Sequence, residues 1–301
     1  MTRPPSADTV RRLVDRVLAG DPEEERRIEP VHEGGEHATW RVGDRYVLRL
    51  APDRAASARQ RREAALREAV AAKLSVPVPR SAATGEWDEG RTYTLDLAPA
   101  GESAEQRPVP AAGERDLAAL LSGLADFPVR EAEALGVPRT AARQVTAVWT
   151  GAERARGAVR GREAEFAALR RLETVCPATP AAGTPTALVH HDLKGEHLLL
   201  TPAGRVSGVL DWTDAVLGDP AEDIAGLALS IGATAALRVA ANAGYGTGMC
   251  ARALQLVRCD TLVRLAARLA GVDDSPLPLL RTQRARAGET TPLDESAAAV
   301  S

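Results

Sequence analysis

Three of the chain's five histidines fall within one short stretch, Val189 to Leu200, which reads VHHDLKGEHLLL. Asp192, Lys194 and Glu196 share it. Clustered imidazoles and carboxylates suit two chemistries. One is a transition-metal site built on histidine nitrogen. The other is a phosphoryl-transfer centre. There a carboxylate orients or accepts the proton of an attacking hydroxyl, and a divalent cation neutralises charge on nucleotide oxygens. The two readings ask for different partners elsewhere in the chain.

The segment LLLTPAGRVSGVLDW reads as two short strands around the turn TPAG. His197 precedes the first strand and Asp211 follows the second, each seven residues from Gly204. The ends of an antiparallel pair in that register lie side by side. An imidazole and a carboxylate should therefore point into one small volume. Asp192, five residues before His197, is near enough in a loop to share it. One imidazole and two carboxylates suit a divalent cation and a general base. A lone Asp before a strand is ordinarily a turn or cap residue, and only the joint spacing lifts it above that. The zinc reading finds no HExxH spacing and no close cysteine pair. His32 and His37 would join it only by folding across the chain. In GDPAED, Asp219 reads as the cap of a helix beginning at Pro220, with Glu222 completing a capping box.

The elements that must position these groups divide into two lobes. Thr9 to Leu18 has helical periodicity, with Val10, Leu13, Val14 and Leu18 apolar. Thr39–Val42 and Tyr46–Leu50 are short β-type runs about a Gly-Asp turn. Ala55 to Leu74 reads as a helix, ended by VPVPR because proline cannot continue one. Further strands are expected near Ala82–Thr84 and Thr92–Leu97. After a linker near Ala98–Glu102, helical periodicity dominates from Ala111 to about Leu269. The boundaries drawn are 1–97 for a small lobe with a sheet and a helix, and 98–280 for a helical lobe with an embedded hairpin. Residues 281–301, charged and rich in Ala and Ser, are expected to be a disordered tail. A cleft between two such lobes is a natural ligand site.

The stretches LVHHDLKGEHLLL and VSGVLDWTDAVLGDPAEDIAGL resemble the aminoglycoside and macrolide phosphotransferases, small-molecule kinases with a protein-kinase-like fold. Their pattern is His-x-Asp, an Asn or His five residues on, Asp-Trp after the next strand, then Gly-Asp-Pro and an Asp. The second half of the motif is closest to the macrolide enzymes. The resemblance implies a two-lobed α+β fold, with Asp192 as catalytic base and His197 and Asp211 as ligands of Mg²⁺. It implies His190 as a buttress of the loop, and Asp214, Asp219 and Asp223 as supports. Two positions depart from the pattern. His191 stands where glycine is usual, and His197 where many members have Asn. Nitrogen suits hard Mg²⁺ less than oxygen does, so Mn²⁺ is the alternative cation.

A kinase-type second lobe asks the first to hold a nucleotide. YVLRL places Arg49 between apolar residues on a strand. Glu63 shares a helical stripe with Leu66, Val70 and Leu74. A carboxylate on a buried stripe needs a cationic partner. Arg49 is the candidate and Arg59 the rival. YVLRL and RREAALREAV also resemble the family's phosphate-contacting strand and first-lobe helix. In EGGEHATW, Gly34 and Gly35 mark either a loop over the phosphates or a plain hairpin turn. LDLAPAG resembles the family's hinge, where Asp96, Leu97 and Ala98 would present backbone groups to a purine. Nothing there separates ATP from GTP.

The acceptor is expected among the helices beyond the linker. Trp149, Phe166, Tyr245 and Met249 suit an apolar pocket for a macrolide. Glu163, Glu165, Asp260 and Asp273 suit an amine-rich acceptor such as an aminoglycoside or a cyclic peptide. A small-metabolite kinase of the same fold is the rival function.

The bulk properties agree with this picture. A chain of 301 residues with 45% hydrophobic residues supports a core, although only 3% are aromatic, so Ala, Leu and Val must fill it. A net charge of -3 argues against a nucleic-acid partner held by bulk electrostatics. Three cysteines without CxxC spacing fit a reduced cytoplasmic protein, and no apolar run is long enough for a membrane. A monomer or weak dimer is expected.

Overall fold

The computed structural model describes residues 5–20, 27–31, 37–159 and 185–298. Among them the small lobe begins with α1 (Ala7–Val17), β1 (Ile28–Val31), β2 (Ala38–Val42) and β3 (Tyr46–Leu50). It continues with α2 (Arg54–Ala71), β4 (Ser81–Asp88) and β5 (Arg91–Leu97). The strands form one antiparallel sheet in the order β1-β2-β3-β5-β4. Ser6 caps α1 by accepting the Thr9 N–H, and the buried face Val10, Leu13 and Val14 packs on the sheet. Alternation along β3 turns Tyr46, Leu48 and Leu50 into that apolar layer. Arg49 therefore points to the opposite face, where α2 lies.

Helix α2 starts on Asp53, whose carboxylate accepts the Ala56 N–H at 2.8 Å. It stops at Ala71, three residues short of the expected Leu74. Its sheet-facing stripe is polar in the first half. Gln60 donates to the Arg49 carbonyl and accepts from Thr92, and the Ser57 hydroxyl accepts the Thr92 N–H. In the second half the buried Arg67 continues the polar contact to the sheet through Asp96, while Leu66 and Val70 join the main core. The helix is thus fixed to the sheet by satisfied polar groups and to the second lobe by burial.

The second lobe holds β6 (Glu102–Ser103), α3 (Ala111–Asp126), α4 (Val129–Ala134) and α5 (Val145–Val159). Then come β7 (Ala187–Val189), β8 (Leu198–Leu200), β9 (Val206–Val209) and β10 (Val216–Gly218). It closes with α6 (Ala221–Ile231), α7 (Ala233–Asn242), α8 (Thr247–Leu269), α9 (Leu277–Ala287) and α10 (Pro292–Ala298). The expected hairpin is β8–β9, extended by β6 to three strands. A second pair, β7–β10, leaves no alternating pattern in the sequence because its strands are only three residues long and buried throughout. The core is built from Leu, Val and Ala on α3, α6, α7 and α8, around the fully buried Trp212.

The tail differs from expectation. Residues 281–298 are mostly helical, and Arg258 of α8 holds them. Its guanidinium donates to both carboxylate oxygens of Asp294 at 2.7 Å and to the carbonyls of Ala287 and Glu289. Composition pointed to disorder because it cannot report a partner in another helix.

Candidate active site

The loop after β7 is clamped from α6. The buried Asp223 carboxylate accepts the His190 N–H at 2.9 Å and the His191 N–H at 2.8 Å. Burial pushes this carboxyl up to about 7, against the two N–H groups that favour its ionised form. His191 has a φ of 70°, the left-handed region that favours glycine. The departure seen in the sequence is therefore real at the backbone: a histidine occupies a glycine conformation.

His190 is fully buried and packs edge-on against Trp212, ring centroids 4.8 Å apart. Its Nε2 lies 2.8 Å from the Leu210 carbonyl, which can only accept, so Nε2 carries the proton. Nδ1 then accepts the Asp192 N–H at 3.3 Å. Burial, helped by the neighbouring His197, holds the ring down at about 4. His190 is a neutral strut that fixes the Asp192 backbone.

Asp192, His197 and Asp211 do converge. His197 closes a 3-10 turn, Gly195–His197, and its ring Nδ1 lies 2.8 Å from the Asp192 carbonyl. That carbonyl also can only accept, so Nδ1 holds the proton and the Nε2 lone pair is left for the Asp211 side, 3.9 Å from Oδ2. The hairpin register is not the symmetric one. Leu198 pairs with Val209 and Leu199 with Gly208, but an irregularity then pairs Leu200 with Val206. Leu210, not Asp211, donates to the His197 carbonyl. Asp211 reaches His197 because its own φ of 54° turns the chain. Burial works against its charge, yet hydrogen bonding from Thr213 and the nearby His197 and Arg49 hold the carboxyl below its usual value.

Two neighbours complete the loop. Lys194 Nζ lies 2.6 Å from Asp192 Oδ1, and Glu196 offers an oxygen within 4.8 Å of ligand atoms of Asp192 and His197. Neither received a role from spacing alone. Gly195 lets the turn approach the linker, since a Cβ there would stand 2.8 Å from the Glu105 nitrogen.

In the first lobe Arg49 Nη2 donates to Glu63 Oε1 at 2.8 Å, so the expected pair exists. Arg49 Nε also lies 3.2 Å from Asp96 Oδ2, and Arg67 pairs with Asp96 Oδ1 at 2.9 Å. Burial opposes the Arg49 charge, but Glu63 and Asp96 outweigh it and keep the guanidinium protonated. Burial likewise opposes the Asp96 charge, and Arg67 and Arg49 overcome it. At the expected hinge the groups are partly engaged already. Asp96 contributes its side chain to this network. The Leu97 N–H donates to the Arg80 carbonyl and the Ala98 N–H to the Arg45 carbonyl, both at 2.9 Å or less. Those two donors are spent within the lobe rather than offered to a base. Gly34 and Gly35 lie outside the described residues, as do Phe166, Glu163 and Glu165.

The lobes meet at Thr213. Its hydroxyl donates to Glu63 Oε2 at 3.0 Å, and its carbonyl accepts from Arg62 at 3.3 Å. Behind the site Asp219 caps α6 through the Ala221 N–H and pairs with the buried Arg252 at 2.6 Å. Glu222 does not close a capping box. It pairs with Arg143, which also binds Asp260. The expected acceptor residues are dispersed: Asp273 accepts the Ser275 N–H, Trp149 of α5 packs against the cluster formed with α8 and α9, and Tyr245 and Met249 lean on the main core. A cavity of about 860 Å³ lies between α2 and β4, lined by residues such as Ala64, Arg80 and Thr94, away from Asp192.

Residues 27–258 match the phosphotransferase enzyme family. The chain belongs to that family. The phosphotransferase is 30% identical over 268 residues to viomycin phosphotransferase of Streptomyces vinaceus, covering 83% of this chain and 89% of the relative. Its fold is similar to the GDP and kanamycin complex of APH(2")-IIIa, with TM-score 0.67 and 19% identity over 91% of this chain and 98% of that one. It is also similar to macrolide 2'-phosphotransferase MphH from Brachybacterium faecium, with TM-score 0.57 and 20% identity over 93% and 98% of the two chains. The protein-kinase-like two-lobed architecture and the phosphotransferase class expected from the motif are thereby shown. Among the described residues no helix is long and apolar enough to cross a membrane.

Proposed function

We propose that this phosphotransferase moves the γ-phosphoryl group of ATP or GTP to a hydroxyl of an antibiotic-like small molecule. One observation carries the reading: a buried clamp presents Asp192 beside His197 and Asp211 in one volume. Asp192 orients the acceptor hydroxyl and takes its proton as the oxygen bonds to the γ-phosphorus. The bond from that phosphorus to the bridging oxygen breaks, and the nucleoside diphosphate leaves.

His197 Nε2 and Asp211 fit a divalent cation, because the Nδ1 proton is committed to a carbonyl and the carboxyl is held ionised. Mg²⁺ or Mn²⁺ bound there would neutralise charge on the nucleotide oxygens. Arg49, braced by Glu63 and Asp96, holds the phosphates. With the Leu97 and Ala98 N–H groups already bonded, the backbone carbonyls of the hinge are left to contact the base. A nucleoside triphosphate as co-substrate places the work in the cytoplasm.

Viomycin phosphotransferase as a relative supports a cyclic-peptide antibiotic as the first acceptor to try. A screen of ATP and GTP consumption tests the reading, run across cyclic peptides, aminoglycosides, macrolides, and choline, sugar and homoserine acceptors. Consumption with an antibiotic, absent in Asp192→Ala with nucleotide binding retained, is the expected result. Consumption only with a metabolite moves the protein to the rival acceptor class, and full activity in Asp192→Ala removes the base assignment.

A further inference from the structure

The Glu63 carboxylate divides its two oxygens between two lobes. Oε1 accepts from Arg49 on β3 at 2.8 Å, and Oε2 accepts from the Thr213 hydroxyl at 3.0 Å. Glu63 is only 1% exposed, so both bonds work in a low-dielectric setting where each is stronger than at the surface. An ionised carboxylate accepts only, so the direction of the Thr213 bond is fixed. The same residue's N–H donates to Asp211 Oδ1 at 3.3 Å. Arg62, one residue before Glu63, adds a third tie by donating to the Thr213 carbonyl at 3.3 Å. One residue thus touches the first-lobe ion pair with its side chain and the candidate cation ligand with its backbone.

We infer that Thr213 is a positioning residue that couples cation binding at Asp211 to nucleotide-phosphate binding at Arg49. Asp211 sits at a positive φ and is half-exposed, so its orientation is not fixed by packing. Thr213 anchors the following peptide to Glu63 and thereby holds the Asp211 carboxylate toward His197. A cation that organises Asp211 favours the Thr213–Glu63 bond, which in turn holds Arg49 in place. By linkage, a nucleotide seated on Arg49 tightens the cation equally. Without the hydroxyl the two sites remain but respond to each other less. A hydrogen bond to a charged, buried acceptor is large enough to carry a coupling of about fivefold to tenfold.

The inference rests on the proposed roles of Arg49 and Asp211, and its test separates the two levels. ADP and GDP affinities are measured by titration calorimetry in EDTA and in saturating MgCl₂, for the full chain and for Thr213→Val, Thr213→Ser, Thr213→Ala and Asp211→Asn. In the parent, Mg²⁺ should tighten the nucleotide. That enhancement should fall about fivefold or more in Thr213→Val and Thr213→Ala, a larger factor than any change in metal-free affinity. It should survive in Thr213→Ser, which keeps the donor and guards against a variant that merely misfolds. An unchanged enhancement in both Thr213→Val and Thr213→Ala, with the enhancement lost in Asp211→Asn, overturns the coupling alone. An unchanged enhancement in Asp211→Asn overturns the cation assignment and the coupling with it. A loss in Thr213→Ser equal to that in Thr213→Ala also overturns it, because the hydroxyl would then not be what matters.

Discussion

Asp223 accepts the His191 N–H at 2.8 Å while His191 is held at a φ of 70°. A side chain with a Cβ in that region costs about 1 kcal/mol or more, and the clamp from α6 holds it there. His191→Gly should therefore leave transfer intact and change stability by less than about 1 kcal/mol in the stabilising direction, since relief of strain is partly offset by the freer unfolded chain. His191→Val should lose at least about 1–2 kcal/mol and most activity. Urea unfolding of the three proteins, with activity alongside, checks both. Equal stability of the Gly and Val variants would contradict the strained geometry.

Arg49 spans two carboxylates, Nη2 on Glu63 and Nε on Asp96. Lysine keeps the charge but cannot fork. Arg49→Lys should weaken nucleotide binding roughly tenfold with a small stability loss. Arg49→Met should lose about 2–3 kcal/mol as well, because the buried Glu63 keeps the Thr213 hydroxyl but has Arg67, at 3.7 Å, as its remaining described cation. Thermal unfolding and nucleotide titration distinguish the two effects.

His197 offers nitrogen, not oxygen, toward Asp211. The ratio of activity in Mn²⁺ to that in Mg²⁺ should fall in His197→Asn, which replaces the nitrogen by a harder oxygen. A ratio that stays the same, with activity also unchanged, would remove His197 from the cation site.

His190 makes acid stability predictable. Burial lowers its folded value to about 4, whereas the unfolded imidazole titrates at about 6.5. Below about 4 both states bind the proton, so the group contributes nothing. Between the two values only the unfolded state is protonated, and stability falls as pH drops. Above about 6.5 the contribution is complete, at about 3 kcal/mol. Asp223 works in the opposite sense, since its folded value is raised to about 7 and its contribution is lost as pH rises through that value. Comparing the parent with His190→Gln cancels the Asp223 part. The parent should lose stability relative to that variant as pH falls from 6.5 to 4, measured by urea unfolding at stepped pH.

Gly226 on α6 faces the loop that carries Asp192, and a Cβ there would stand 2.9 Å from the Leu193 carbonyl oxygen. Backbone cannot yield cheaply, so Gly226→Ala should cost about 1–3 kcal/mol and displace the loop that carries Asp192. A drop in kcat larger than any change in nucleotide affinity would register that displacement.

The sequence by itself determined the local chemistry. Strand alternation in YVLRL put Arg49 on the face opposite Leu48 and Leu50, and helical spacing put Glu63 on the buried stripe of α2. Spacing about Gly204 brought the ends of the hairpin together, but the folded hairpin set Leu210, not Asp211, opposite His197. Spacing could not supply the irregular register or the positive φ of Asp211, which depend on how β8 and β9 seat against β6 and the His190 strut. Nor could it show that Asp223, rather than Asp214 or Asp219, is the clamp, that Thr213 joins the lobes, or that the Leu97 and Ala98 donors are already taken. Each of these is a bond between residues far apart in the chain. Periodicity and spacing report which face a residue occupies. Only the packed tertiary structure decides what waits on the other side of that face.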